Sequence, residues 1–250
     1  MDKGRNLIMG GAGGMPDVML LAAGLGTRMR PLTFTKPKAL IEVAGKPLID
    51  HVIDAALAEG CSRFAVNAHH KAEQVAAHVE RLKKGLPDIA FAISHEKERL
   101  LDTGGGLRNA LPLLDTDPVL TMNTDSFWLA GEDRPISRMV DAYGQGDADA
   151  ALLCVSPDHA TGYFKGADFL LSEDGTISKT VGRPVVYAGV ALISRALAAQ
   201  GPDVPFSLVR HFETARAAGR LRGVSIETGW YHVGDPGAIA RTEQQIGELV

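Results

Sequence analysis

The chain has 250 residues, 45% hydrophobic and 22% charged, with a formal net charge of -4 and a pI near 6.1, an ordinary soluble globular composition with ample material for a core. That acidic balance offers no electrostatic footprint for nucleic acid or an anionic membrane, and no apolar run reaches membrane length. Cys61 and Cys154 form no CxxC pair, which argues against a zinc site or disulfide framework and fits a reducing compartment, so a cytoplasmic protein is expected.

The opening segment MDKGRNLIMGGAGGMPD (residues 1–17) reads as a flexible extension, with Met15 or Met19 as alternative natural starts, and residues 18–250 read as a single domain. VMLLA (18–22) predicts a buried strand and PLIDHVIDAALAEG (47–60) a helix, with Pro47 in its first turn and Gly60 at its end. RFAVNA (63–68) predicts a strand, KAEQVAAHVERLKK (71–84) a helix whose Val75, Val79 and Leu82 face the core, and IAFAIS (89–94) a strand. GLRNALPLL (106–114) predicts a short helix and PVLTMNTD (118–125) another strand. This alternation implies an α/β fold with three layers, a mostly parallel sheet and right-handed crossovers. After Asp149, the segments AALLCVS, ADFLLSEDGTIS and RPVVYAGVALI predict strands joined by turns, with Asp174-Gly175 as a hairpin signal, and so a small antiparallel lobe on one edge of the sheet. PFSLVRHFETARAAG (205–219) and DPGAIARTEQQIGELV (235–250) predict closing helices, and no hexapeptide repeat is visible.

The loop after the first strand carries the most chemistry. In an open parallel sheet, ligands bind beyond the carboxyl ends of the strands. Gly24 and Gly26 let the backbone approach a ligand there, but the third glycine of G-x-G-x-x-G and the whole of G-x-x-x-x-G-K-[ST] are missing. A glycine turn with solvated arginines is one reading. Arg28, Arg30, Lys36 and Lys38, stiffened by Pro31 and Pro37, suit a polyphosphate as the other. Asp125 ends its strand where a carboxylate reaches the crevice and could bind a hard cation, or else form a cap or turn. The glycines of LLDTGGG (100–106) form a turn into the helix or expose backbone groups to a base or sugar, and Asn67, His69 and His70 belong to a polar pocket or the surface.

LAAGLGTRMRPLTFTKPKAL (21–40) resembles the signature of sugar-1-phosphate nucleotidyltransferases, LAAGxGTRxxPLT followed by PKxL. Supporting matches at LLDTGGGLRNALP (100–112), NTD (123–125) and WYHVGDP (230–236) extend the resemblance over nearly all the chain after Asp17. The TGGG form, the short length and Trp128 are most similar to members that pair UTP with N-acetylmuramate 1-phosphate in cell-wall recycling. GTP with mannose 1-phosphate is an alternative pair, and a nucleotide-binding regulatory subunit an alternative class.

The resemblance implies a Rossmann-like nucleotidyltransferase fold and the Mg²⁺-dependent reaction of an NTP with a sugar 1-phosphate, giving an NDP-sugar and pyrophosphate. Its partners are then small molecules, with no nucleic acid and no membrane. An ionised phosphate nucleophile needs no general base, so alignment and charge neutralisation are the enzyme's task. The same resemblance implies catalytic roles for Arg28, Lys38 and Asp125. Nucleotide contacts are implied for Leu21, Ala22, Ala23, Gly24, Gly26, Thr27, Arg28, Lys38, Asp102, Thr103, Gly104, Asn123 and Thr124. Sugar contacts are implied for Asn67, Gly105, Asp168, Tyr187, Ala188 and Gly189, while Gly106 serves helix packing and Lys179 is a sugar-side candidate or a solvated hairpin lysine. In the W-x-D-x-G-T signature of the family the aspartate position is His232 here, and Asp235 replaces the threonine. Asp125 is thus the expected metal ligand, completed by His232 or Asp235, with a helix cap as the other reading of Asp235.

Overall fold

The computed structural model describes residues 14–129, 131 and 133–248. The expected flexible extension lies largely outside these residues, but its last residue does not behave as a tail. Asp17 is buried, donates its amide to Thr116 Oγ1 at 2.9 Å and accepts the Asp115 amide at 2.5 Å, so the packed body begins before Val18.

In chain order the first elements are β1 (Val18–Leu21), β2 (Glu42–Val43), β3 (Lys46–Pro47), α1 (Leu48–Ala58), β4 (Arg63–Ala68), α2 (Ala72–Gly85), β5 (Ala90–His95), α3 (Asp102–Ala110), β6 (Val119–Asn123), β7 (Ser126–Trp128) and α4 (Pro135–Gly144). There follow β8 (Ala150–Val155), β9 (Ala160–Thr161), β10 (Phe169–Leu171), β11 (Ile177–Ser178), β12 (Arg183–Ile193), α5 (Arg195–Ala198), α6 (Val209–Ala217), β13 (Leu221–Ile226), β14 (Trp230–His232) and α7 (Pro236–Gly247).

Nine strands form one mixed sheet. β1 lies between β6 and β4, and β5 continues beyond β4, all parallel. β12 joins this body to the parallel pair β8 and β13 by running against both β6 and β8. The antiparallel strands are therefore not confined to an edge. The last residues of β12 pair with β6 inside the sheet, and only its first residues pair with β10 to make the expected lobe, closed by the Asp174-Gly175 turn that sets Leu171 opposite Ile177. A bulge interrupts β12 between Tyr187 and Ala191. β14 forms a second, three-stranded sheet between β7 and β9.

Alternation along the strands builds two cores. Val18 and Leu20 of β1 point to one face and pack with Val52 of α1, Val75 of α2 and Met139 of α4. Met19 points to the other, with Leu107 of α3, Leu197 of α5 and Phe212 of α6. The three-layer α/β arrangement expected from the sequence follows. α3 starts four residues earlier than the pattern predicts and takes all three glycines into its first turns, and position 104 requires glycine, since a Cβ there would stand 2.5 Å from the Phe206 ring. Helical propensity yields here to close packing.

Candidate active site

The carboxyl ends of β1, β4 and β6 open onto the loop that follows β1. Gly26 has φ +60, and a Cβ there would lie 2.7 Å from Thr33 Cγ2 and 3.0 Å from Lys38 Cβ. This left-handed turn folds the loop into three short 3₁₀ turns, Thr27–Met29, Leu32–Phe34 and Lys38–Leu40, and Thr33 Oγ1 ties them by donating to the Gly26 carbonyl at 2.8 Å. Arg28 and Lys38 are thereby turned towards the end of β6.

There Lys38 Nζ meets Asp125 Oδ2 at 2.7 Å, and His232 Nε2 is 3.8 Å from the same oxygen. Burial pushes the Asp125 carboxyl up, but Lys38, His232 and Arg28 outweigh it and hold the group below the usual carboxylate range. The 2.8 Å bond from the Val233 amide to the Asp125 carbonyl fastens β14 to this point. His232 is set by a ring stacked on Trp230 and by a 3.2 Å contact from Nδ1 to the Gly162 carbonyl.

Two cavities flank Asp125. One of about 220 Å³ is lined by Leu21, Ala22, Ala23, Gly24, Lys38, Asn67, Asp102, Thr103, Asn123 and Thr124, so ten of the residues singled out from the sequence come together there with Asp125. A second, of about 400 Å³, contains Arg28, Asp168, Tyr187, Gly189 and His232. Asn123 and Asp125 belong to both walls.

Several expectations change in detail. Gly26 and Thr27 shape the loop but line neither cavity, and Arg28 faces the second cavity rather than the first. The amides of Gly104 and Gly105 both donate to the Phe206 carbonyl, at 2.9 and 3.1 Å, and both residues are buried, so their amides are used in packing α3 and neither residue lines the first cavity. Ala188 is buried, and its carbonyl accepts Trp230 Nε1 at 3.0 Å, outside the cavity wall. Asn67 borders the first cavity, not the second, and is hydrogen-bonded through both its oxygen and its nitrogen. Its Oδ1 accepts the Ala22 and Ala23 amides at 2.6 and 3.1 Å, and its Nδ2 donates to buried Glu96 at 2.7 Å. Glu96 in turn accepts the Leu101 amide at 2.7 Å. This chain joins the loop after β1 to the start of α3. A Cβ at Gly106 would come within 2.8 Å of both Asn67 and Glu96, which explains that glycine.

Asp235 is the N-cap of α7, accepting the Ala238 amide at 3.0 Å and lying 3.4 Å from Arg241, and it lines neither cavity. The helix-cap reading accounts for its position. Among the described residues, no three His, Cys, Asp or Glu side chains gather as a metal group. Ser126, Tyr163, Phe169, Phe212 and Glu213 line the second cavity without having been signalled by any motif, and Lys179, read either way from the sequence, lines it too.

Lys38 and Arg28 drawn over a strand-end carboxylate, with a cavity on each side, form a site suited to phosphoryl transfer. The sequence profile of the MobA-like NTP transferase domain matches residues 18–218, and the chain belongs to that family. It is similar to the N-acetylmuramate alpha-1-phosphate uridylyltransferase of Caulobacter vibrioides (strain ATCC 19089 / CIP 103742 / CB 15), with 42% identity over 92% of this chain and 96% of that one. Among solved structures, HddC from Yersinia pseudotuberculosis complexed with GMP-PN shares 20% identity at a TM-score of 0.73, covering 93% of this chain and 100% of the other. The inositol-1-phosphate CTP transferase from T. maritima reaches a TM-score of 0.76 at 16% identity, covering 94% and 96%. No described helix is long and apolar enough to cross a membrane.

Proposed function

We propose that this nucleotidyltransferase joins UTP to N-acetylmuramate 1-phosphate, giving the UDP-linked sugar and pyrophosphate, as a cytoplasmic step in the recovery of a cell-wall amino sugar. The observation that carries the two-substrate assignment is the shared wall: Asn123 and Asp125 line both cavities. A nucleotide in the first and a sugar phosphate in the second then meet at one carboxylate. The choice of substrates rests on the 42% identity to the uridylyltransferase.

In this reading an oxygen of the sugar phosphate forms the bond to the α-phosphorus of UTP as the bond from that phosphorus to the pyrophosphate oxygen breaks. The attacking oxygen is ionised at neutral pH, so no side chain has to remove a proton. Lys38 and Arg28 neutralise charge that grows on the phosphoryl oxygens, and their placement on a folded loop avoids reorganisation during the reaction. Asn67, through the Ala22 and Ala23 amides, fixes the loop that Lys38 and Arg28 share.

The donor set fits Mg²⁺ held by Asp125 together with substrate phosphates, since that ion is usually bound by one or two carboxylates plus phosphate oxygens. When bound, it would supply further charge neutralisation at the transferred phosphate. His232 borders that position and Asp235 does not.

The test is pyrophosphate release by the purified protein with Mg²⁺, across UTP, GTP, dTTP, CTP and ATP against the 1-phosphates of muramic acid, glucosamine, glucose and mannose and their N-acetylated forms. Preferred turnover of UTP with N-acetylmuramate 1-phosphate is expected. Preference for another pair overturns the substrate assignment and leaves the chemistry standing.

A further inference from the structure

The second cavity has a cation that the phosphate chemistry does not use. Arg28 contributes to the field at Asp125, whereas Lys179, in the turn after β11, is held on another part of the wall by Glu213 of α6, with Nζ 2.7 Å from Oε1. Glu213 does not depend on this partner. Its Oε2 accepts Arg216 Nε at 3.0 Å and Nη2 at 2.7 Å, and the Lys179 and Arg216 hydrogen bonds together hold its carboxyl below the usual range. Lys179 is about half exposed, so its pairing is a weak surface contact, and an ammonium group retains further donors after making one hydrogen bond.

The acids on the same wall are occupied. Asp168 accepts the Tyr163 hydroxyl at 2.5 Å and the Tyr187 amide at 2.9 Å. Arg216 balances the Glu213 carboxylate although it does not line the cavity, and Lys179 stands on a wall that also includes the apolar side chains of Val209 and Phe212. N-acetylmuramate differs from N-acetylglucosamine by a lactyl ether on O3, an anionic group with a methyl branch. C3 is separated from C1 by C2, so a sugar whose phosphate sits at Asp125 can present the lactyl group to a part of the wall other than Arg28.

Resting on the substrate proposed above, we infer that Lys179 is a specificity-determining residue that receives the lactyl carboxylate, while Glu213, kept by Arg216, orients it. The charge of the substituent is what this site reads.

The experiment compares kcat/KM for N-acetylmuramate 1-phosphate with that for its lactyl methyl ester, which keeps the shape and removes the charge, in the wild type, Lys179→Gln and Lys179→Arg. The wild type is expected to prefer the acid. That preference should fall by about ten- to a hundredfold in Lys179→Gln, the scale of one hydrogen bond to a charged group, and be largely kept in Lys179→Arg. An acid-to-ester ratio unchanged in Lys179→Gln overturns the inference while leaving the substrate assignment intact. A wild type that prefers a sugar phosphate without a lactyl group overturns both. Should Lys179→Gln not fold, the wild-type ratio across ionic strength decides, because discrimination by an exposed ammonium shrinks with salt and a salt-independent ratio overturns the assignment.

Discussion

Lys38 Nζ lies 2.7 Å from Asp125 Oδ2 although 87 residues separate them, and this pair joins the loop after β1 to the end of β6. Lys38→Ala should lower turnover by about two orders of magnitude or more, the scale of a lost electrostatic stabiliser. Asp125→Asn should abolish Mg²⁺-dependent pyrophosphate release. Near-normal turnover in steady-state assays of either variant would remove that residue from the catalytic machinery.

His232 and Asp235 should separate cleanly. Asp235→Ala removes the cap of α7 and should destabilise the fold by about 1 kcal/mol, a fall in Tm of about 2–4 °C for a domain of this size, with an unchanged Mg²⁺ dependence. His232→Ala, which removes the imidazole beside Asp125, should change the Mg²⁺ concentration needed for half-maximal rate. The reverse pattern in melting curves and Mg²⁺ titrations would contradict the assignment of Asp235 as a structural cap.

The chain from Ala22 through Asn67 and Glu96 to Leu101 should matter for nucleotide binding without touching the reacting atoms. Asn67→Ala leaves two amides and a buried carboxylate without their partner and should weaken UTP binding about tenfold, alongside a stability loss of about 1–3 kcal/mol. Gly106→Ala, which removes no polar group, should act in the same direction by pressing on Asn67 and Glu96. Calorimetric titration with UTP checks both, and unaltered affinity in both variants would leave the chain a purely structural role.

His211 offers a prediction about acid stability. It is 1% exposed, its Nε2 has no partner, and burial followed by the charges of Arg210 and Arg108 lowers its pKa to about 4. The unfolded chain binds the proton more readily, so the stability from keeping this ring neutral is complete above about pH 6.5 and is lost as pH falls towards about 4. Between pH 7 and 4.5 that loss is about 2–3 kcal/mol, and His211→Phe should escape it. Urea unfolding at the two pH values measures the difference, and equal acid sensitivity in both proteins would rule out His211 as its source.

Where structure is specified locally, the sequence is easily read. RFAVNA coincides with β4, the Val75 and Val79 stripe faces the core, and Asp235 before Pro236 marks the start of α7. α4 is different: its first amides are satisfied by Glu59, which accepts from Ile136 and Ser137 at 3.0 and 2.7 Å across 77 and 78 residues, so no adjacent cap announces it. β12 could be read as a strand but not placed, since its insertion between β6 and β8 depends on pairing with distant segments. The first cavity is legible because most of its wall comes from contiguous motifs at residues 21–24, 100–103 and 123–125. The second draws Tyr163, Lys179, Phe212 and Trp230 from separate turns, strands and helices, and only the folded chain brings them together.

That difference in origin bears on how such an enzyme can diversify. Because, among the described residues, the two cavities share Asn123 and Asp125 alone, replacements on the β10–β12 and α6 side should retune the proposed sugar preference while the segments assigned to the nucleotide stay as they are. Changes on opposite sides, away from the junction, should combine additively in their effects. The junction itself has no such freedom, since in the proposed reading a replacement there is felt by both substrates at once.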